Sequence, residues 1–126
     1  MKTSYWKLQK NSDNQEVMQE AAALIRAGEV VSFPTETVYG LGADGLNPEA
    51  VAKIFAAKGR PNDNPLILHI AKKEDIAQLT TGLNANAKKL MEHFWPGPLT
   101  LIVNKSAIVP AYKNRICPKG MGHITY

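Results

Sequence analysis

At 126 residues, 44% apolar and 21% charged, the chain is long enough to bury one hydrophobic core and too apolar to be a disordered tail. No apolar run approaches the roughly 20 residues of a membrane helix, and Met1 to Lys7 lacks the apolar stretch of a signal peptide, so the cytoplasm is the expected compartment and no membrane partner is expected. The net charge of +4 permits a polyanionic partner without demanding one, because the basic residues are spread along the chain with no dense run.

The first element follows a polar lead. Asn11-Ser12-Asp13-Asn14 offers several N-cap candidates, and Glu16 stands three residues after Asp13 in a capping-box spacing. Val17, Ala21, Leu24 and Ile25 then fall on one face of a helix, which Gly28 ends by its access to the left-handed conformation. Val30-Val31-Ser32-Phe33 reads as a buried strand. Behind it, Pro34 to Gly45 reads as a loop unusually rich in hydroxyls and glycine. Asn47 is placed to cap a second helix, with Pro48 in its first turn and Glu49 favoured by the dipole. Val51, Ile54 and Phe55 form its inner face, and Gly59 stops it.

Pro61-Asn62-Asp63-Asn64-Pro65 is a polar turn fixed by its prolines. Leu66 to Ile70 reads as the next strand. A short helix at Glu74 to Leu79 and a longer one from Asn84 to Phe94 come after, the latter with Ala87, Leu90, Met91 and Phe94 as its buried stripe. Trp95-Pro96-Gly97-Pro98 breaks the pattern before the strand Leu99 to Val103. Alternating helices and strands predict a single α/β domain with helices covering a sheet. Residues 106–126 carry neither period, and an irregular tail is expected there.

Few general motifs survive inspection. Gly40-Leu41-Gly42-Ala43-Asp44-Gly45 matches the dinucleotide fingerprint in form, yet the helix begins only after the glycines have ended, so no helix N-terminus faces a pyrophosphate there. There is no P-loop. The three histidines are far apart, and Cys117, the single cysteine, has no second thiol with which to form a disulfide or a metal motif. Lys58-Gly59-Arg60 sets two cations to converge on a polyphosphate, although cations at a helix C-terminus are also favoured by the dipole alone. His69 reads either as a core histidine or, if it reaches the strand end, as a ligand residue. Thr35, Thr37 and Tyr39 serve equally as pocket groups or as formers of their own turn.

Taken in order, three segments point to a known family. Ser32-Phe33-Pro34-Thr35-Glu36-Thr37-Val38-Tyr39-Gly40-Leu41, then Lys58-Gly59-Arg60-Pro61 with Asn64-Pro65-Leu66 and His69, then Trp95-Pro96-Gly97-Pro98-Leu99-Thr100 resemble the YrdC-like threonylcarbamoyl-AMP synthase family over residues 12–105. The resemblance implies a twisted, open, mixed sheet with helices packed on it. It implies an enzyme that joins L-threonine, bicarbonate or CO2 and ATP, with Mg²⁺ accompanying the ATP and no tightly bound cofactor. The product, threonylcarbamoyl-AMP, feeds threonylcarbamoyladenosine formation in tRNA, which makes tRNA, double-stranded RNA and the threonylcarbamoyl-transfer machinery the implied partners. By the same resemblance Thr35, Tyr39 and His69 belong to the threonine site. Lys58, Arg60 and Asn64 face ATP, with Lys58 and Arg60 stabilising the reacting phosphates, and Thr37 and Thr100 are candidates for lining the cleft.

One departure qualifies the expectation. The family continues through an Arg-containing strand and a Ser-x-Asn motif, and neither occurs in this sequence. The C-terminal part of the domain is therefore expected to be missing, and a catalytically inactive fragment or an RNA-binding module of the same fold stands as the alternative function. The related carbamoyl-transfer domain of hydrogenase maturation proteins carries zinc-finger-like cysteines, which this chain lacks.

Overall fold

The computed structural model describes residues 2–59, 66–110 and 121–126. Two compact units are described in turn, Met1–Ala57 and Lys58–Tyr126.

The first unit begins with helix α1 (Gln15–Arg26). Its start differs from the expected capping box. Asn14 occupies the N-cap in the left-handed region (φ 49°) and makes no side-chain cap bond. Its Oδ1 instead accepts the Gln9 amide at 2.9 Å, and its Nδ2 donates to the carbonyls of Gln9 and Ser12. The amide side chain is therefore committed to the preceding turn. The far end is as the sequence predicts: Gly28 has φ 85°, its amide donates to Ile25 O, and the Glu29 amide donates to Leu24 O. Those paired bonds are the Schellman closure, which satisfies carbonyls that the helix end leaves free.

Strands β1 (Val31–Pro34) and β2 (Tyr39–Gly42) form an antiparallel hairpin with Phe33 opposite Gly40 and Pro34 opposite Tyr39. The expected loop from Pro34 to Gly45 thus contains a strand. Glycine lowers strand propensity, but here Phe33 supplies the side chain that β2 lacks: a Cβ on Gly42 would lie 2.8 Å from the Phe33 ring, and one on Gly40 would lie 3.2 Å from it. The two glycines therefore serve the close approach of an aromatic ring, which replaces the dinucleotide interpretation of the same residues. Helix α2 (Pro48–Lys58) follows, capped as expected by Asn47, whose Oδ1 accepts the amides of Glu49 at 3.0 Å and Ala50 at 3.4 Å. Ala50, Val51 and Ile54 are its buried residues.

The second unit is a three-stranded sheet in the order β3-β5-β4, built from β3 (Ile67–His69), β4 (Thr100–Asn104) and β5 (Met121–Thr125). β5 runs parallel to β3 and antiparallel to β4, so the sheet is mixed. At residues 121–125 this corrects the expectation of an irregular tail, since β5 is the central strand; residues 111–120 of that tail lie outside the described residues. Leu68, Ile124 and Leu101 align across the sheet on one face. With them Ile76, Leu79, Met91, Trp95, Val103 and Val109 complete a core, part of it supplied by helices α3 (Ile76–Leu79), which follows the three-residue 3-10 turn Lys73–Asp75, and α4 (Ala85–Phe94). Asn84 caps α4 by accepting the Ala87 amide at 2.8 Å. Of the predicted α4 stripe only Met91 is fully buried, while Leu90 and Phe94 are exposed.

Candidate active site

The hydroxyl-rich segment forms the bend that joins β1 to β2. Thr35 Oγ1 donates to the Val38 carbonyl and accepts the amides of Val38 at 3.2 Å and, weakly, of Thr37 at 3.4 Å. Its single proton is thereby engaged inside the turn, so in this conformation Thr35 shapes the bend rather than offering a free donor. Thr37 and Tyr39 are exposed on either side of Val38, and Tyr39 opens β2 with 76% of its surface accessible. Three of the predicted site residues thus share one solvent-facing turn in the first unit.

Two more meet in the second unit. His69 ends β3 and pairs with Thr125, and Thr125 pairs with Thr100 at the start of β4. Directly opposed residues project to the same face, and the burial of Leu68, Leu101 and Ile124 on the other side fixes His69, Thr125 and Thr100 on the face away from the core. Thr100 Oγ1 lies 2.6 Å from Thr125 Oγ1. The adjacent row is Ile67, His123 and Ile102, with both isoleucines exposed and His123 Nε2 buried without a hydrogen-bond partner among the described residues. His69 is exposed, which rules out the core-histidine interpretation.

Lys58 is the last residue of α2 and is exposed, where the helix dipole favours a cation and the ammonium is accessible. Arg60 and Asn64, the other two residues expected at ATP, lie outside the described residues, as does Cys117. Among the described residues no group of three or more His, Cys, Asp or Glu side chains is placed to hold a metal ion, and no helix is long and apolar enough to cross a membrane.

Thr125 and His123 are missed by motif reasoning because they fall in the segment where no family pattern was found. The signal available for them was the alternation Gly122-His123-Ile124-Thr125, too short to stand out beside its glycine-rich flank.

Small antiparallel and mixed sheets accompanied by helices define the class as an α/β protein. The chain belongs to the Sua5/YciO/YrdC family: the family model described as "Telomere recombination" matches residues 23–120. It is 57% identical over 90 residues to the threonylcarbamoyl-AMP synthase of Pyrococcus abyssi, covering 71% of this chain and 26% of that protein. With the threonylcarbamoyl-AMP synthase of Bacillus subtilis it shares 54% identity over 106 residues, 82% of this chain and 31% of the relative. The crystal structure of P. abyssi Sua5 complexed with L-threonine superposes with a TM-score of 0.75 at 47% identity, covering 86% of this chain and 31% of that one. The chain therefore spans between a quarter and a third of the length of these relatives.

Proposed function

We propose that this chain forms part of the active site of a threonylcarbamoyl-AMP synthase, which condenses L-threonine, bicarbonate or CO2 and ATP to threonylcarbamoyl-AMP and pyrophosphate. The observation that carries the reading is the identity of 54–57% to two proteins of that name, with a family match over residues 23–120 that spans all three motifs. A similar structure complexed with L-threonine supports the amino acid as substrate.

In this reading the amine of threonine, carboxylated on nitrogen, attacks the α-phosphorus of ATP through a carboxylate oxygen. The bond to the bridging oxygen breaks and pyrophosphate leaves. Negative charge accumulates on the phosphoryl oxygens, and Lys58 and Arg60 stabilise it alongside the Mg²⁺ that enters with ATP, while Asn64 helps to orient the nucleotide. Thr35, Tyr39 and His69 hold threonine, and Thr37 and Thr100 line the cleft. Catalysis of this kind rests on positioning and charge more than on proton transfer. The product would pass to the machinery that modifies tRNA, in the cytoplasm, and the net charge of +4 suits contact with tRNA or double-stranded RNA.

Pyrophosphate release from the 126-residue chain given ATP, Mg²⁺, bicarbonate and L-threonine tests the proposal. Threonine-dependent release is expected, and its absence would reject catalytic competence of this chain. Lys58→Ala and Arg60→Ala should each lower turnover at least about tenfold. Unchanged turnover with reduced stability would instead assign Lys58 to the helix end alone.

A further inference from the structure

Thr125 belongs to none of the recognised motifs, yet it stands between His69 and Thr100 in the exposed row of the second unit. Among the described residues its hydroxyl has two close neighbours: Thr100 Oγ1 at 2.6 Å and the Leu99 carbonyl at 3.3 Å. A hydroxyl carries one proton. A carbonyl can only accept, so the Leu99 contact is a hydrogen bond only when Thr125 is its donor. The shorter contact must then run from Thr100 to Thr125. Both bonds form in one proton arrangement and no other: Thr100 donates to Thr125, and Thr125 donates to Leu99 O.

The terminus of this relay is held firmly. Leu99 O also accepts the indole N–H of Trp95 at 2.8 Å, and Trp95 is buried in the core of the unit with its ring edge-on to Tyr126. With its proton turned toward Thr125, the Thr100 oxygen presents only lone pairs to the outer face, in the same cross-strand row as His69 and two strands from it.

We infer that Thr125 is a positioning residue for substrate recognition: by drawing the Thr100 proton inward it makes Thr100 an acceptor for an O–H or N–H donor of the bound amino acid. This inference rests on the proposed function, in which that amino acid is L-threonine and Thr100 lines its cleft. The ligand donor is either the threonine side-chain hydroxyl or its amino group, and the two are separable with L-valine, which has the amino group and nearly the shape of threonine without the hydroxyl.

The test is calorimetric titration of the full chain with L-threonine and with L-valine, for the unmodified protein, Thr125→Val and Thr125→Ser. Valine keeps the β-branched shape favoured in a strand and removes the relay, whereas serine keeps the hydroxyl. Thr125→Val should weaken L-threonine binding about tenfold, or about 1.4 kcal/mol, and Thr125→Ser should restore it. An equal loss for L-valine assigns the donor to the amino group, and a loss confined to L-threonine assigns it to the side-chain hydroxyl. Unmodified affinity in Thr125→Val, or no recovery in Thr125→Ser, would overturn the inference while leaving the synthase reading intact. Failure of the unmodified chain to bind L-threonine would overturn that reading first. Should Thr125→Val not fold, methyl NMR of the unmodified chain decides: L-threonine should shift the Thr100 and Thr125 methyls and leave buried Thr80 in place, and unmoved Thr100 and Thr125 methyls in a chain that binds would overturn the relay.

Discussion

Thr35 and Thr100 illustrate how one residue type takes two roles according to where its proton goes. Thr35 turns its proton into its own bend, donating to Val38 O, and so fixes the geometry of neighbours such as Tyr39. Thr100 passes its proton to a cross-strand partner and keeps its lone pairs outward. Residue-level packing is equally specific at Gly42, where a methyl group would sit 2.8 Å from Phe33 Cε1. Gly42→Ala should cost about 1–3 kcal/mol by overpacking, measured as a lower urea midpoint. In the Phe33→Ala background the same change should cost almost nothing, because its steric partner is gone, and a double-mutant cycle would read that coupling directly. Additive losses would mean that the ring does not set the glycine requirement.

Elements whose signals are local were legible in the sequence, and those whose identity depends on distant partners were not. α2 announces itself through Asn47, Pro48 and Gly59, and the end of α1 through Gly28, because capping chemistry acts over a few residues. β2 was hidden by Gly40 and Gly42, whose strand conformation depends on Phe33 across the hairpin. β5 was hidden more completely, since nothing within five residues specifies a central strand; its neighbours β3 and β4 do. The candidate site divides the same way. Thr35, Tyr39, His69 and Thr100 came from motif resemblance, whereas the role of Thr125 follows only from register. The weight resting on β5 can be measured through Ile124, which is fully buried. Ile124→Ala should lose about 2–5 kcal/mol, while Ile102→Ala, on the exposed face, should stay within about 0.5 kcal/mol. Comparable losses at both positions, in denaturant titrations, would contradict the observed facing of the sheet.

On the scale of the whole molecule, the chain presents two compact units, and their internal connectivity differs in kind. The first unit's hairpin joins residues close in sequence, Pro34 with Tyr39 and Val31 with Gly42. In the second, residue 67 finds its strand partner only at residue 123. Closing so long a segment costs chain entropy before any sheet hydrogen bond is formed, and nonlocal strand pairing of this type slows folding. The order of events during refolding follows. Amides of the β1–β2 hairpin should gain protection from hydrogen exchange earlier than those of β3, β4 and β5, and pulse labelling during refolding would detect the interval. Simultaneous protection in both units would show that one cooperative step governs them. Because β5 carries the partner of both Thr100 and His69, the polar row on the outer face is among the last features to be assembled. A nascent chain would then acquire its ordered hairpin well before it acquires the threonine relay, and ligand present during refolding could accelerate only the later step.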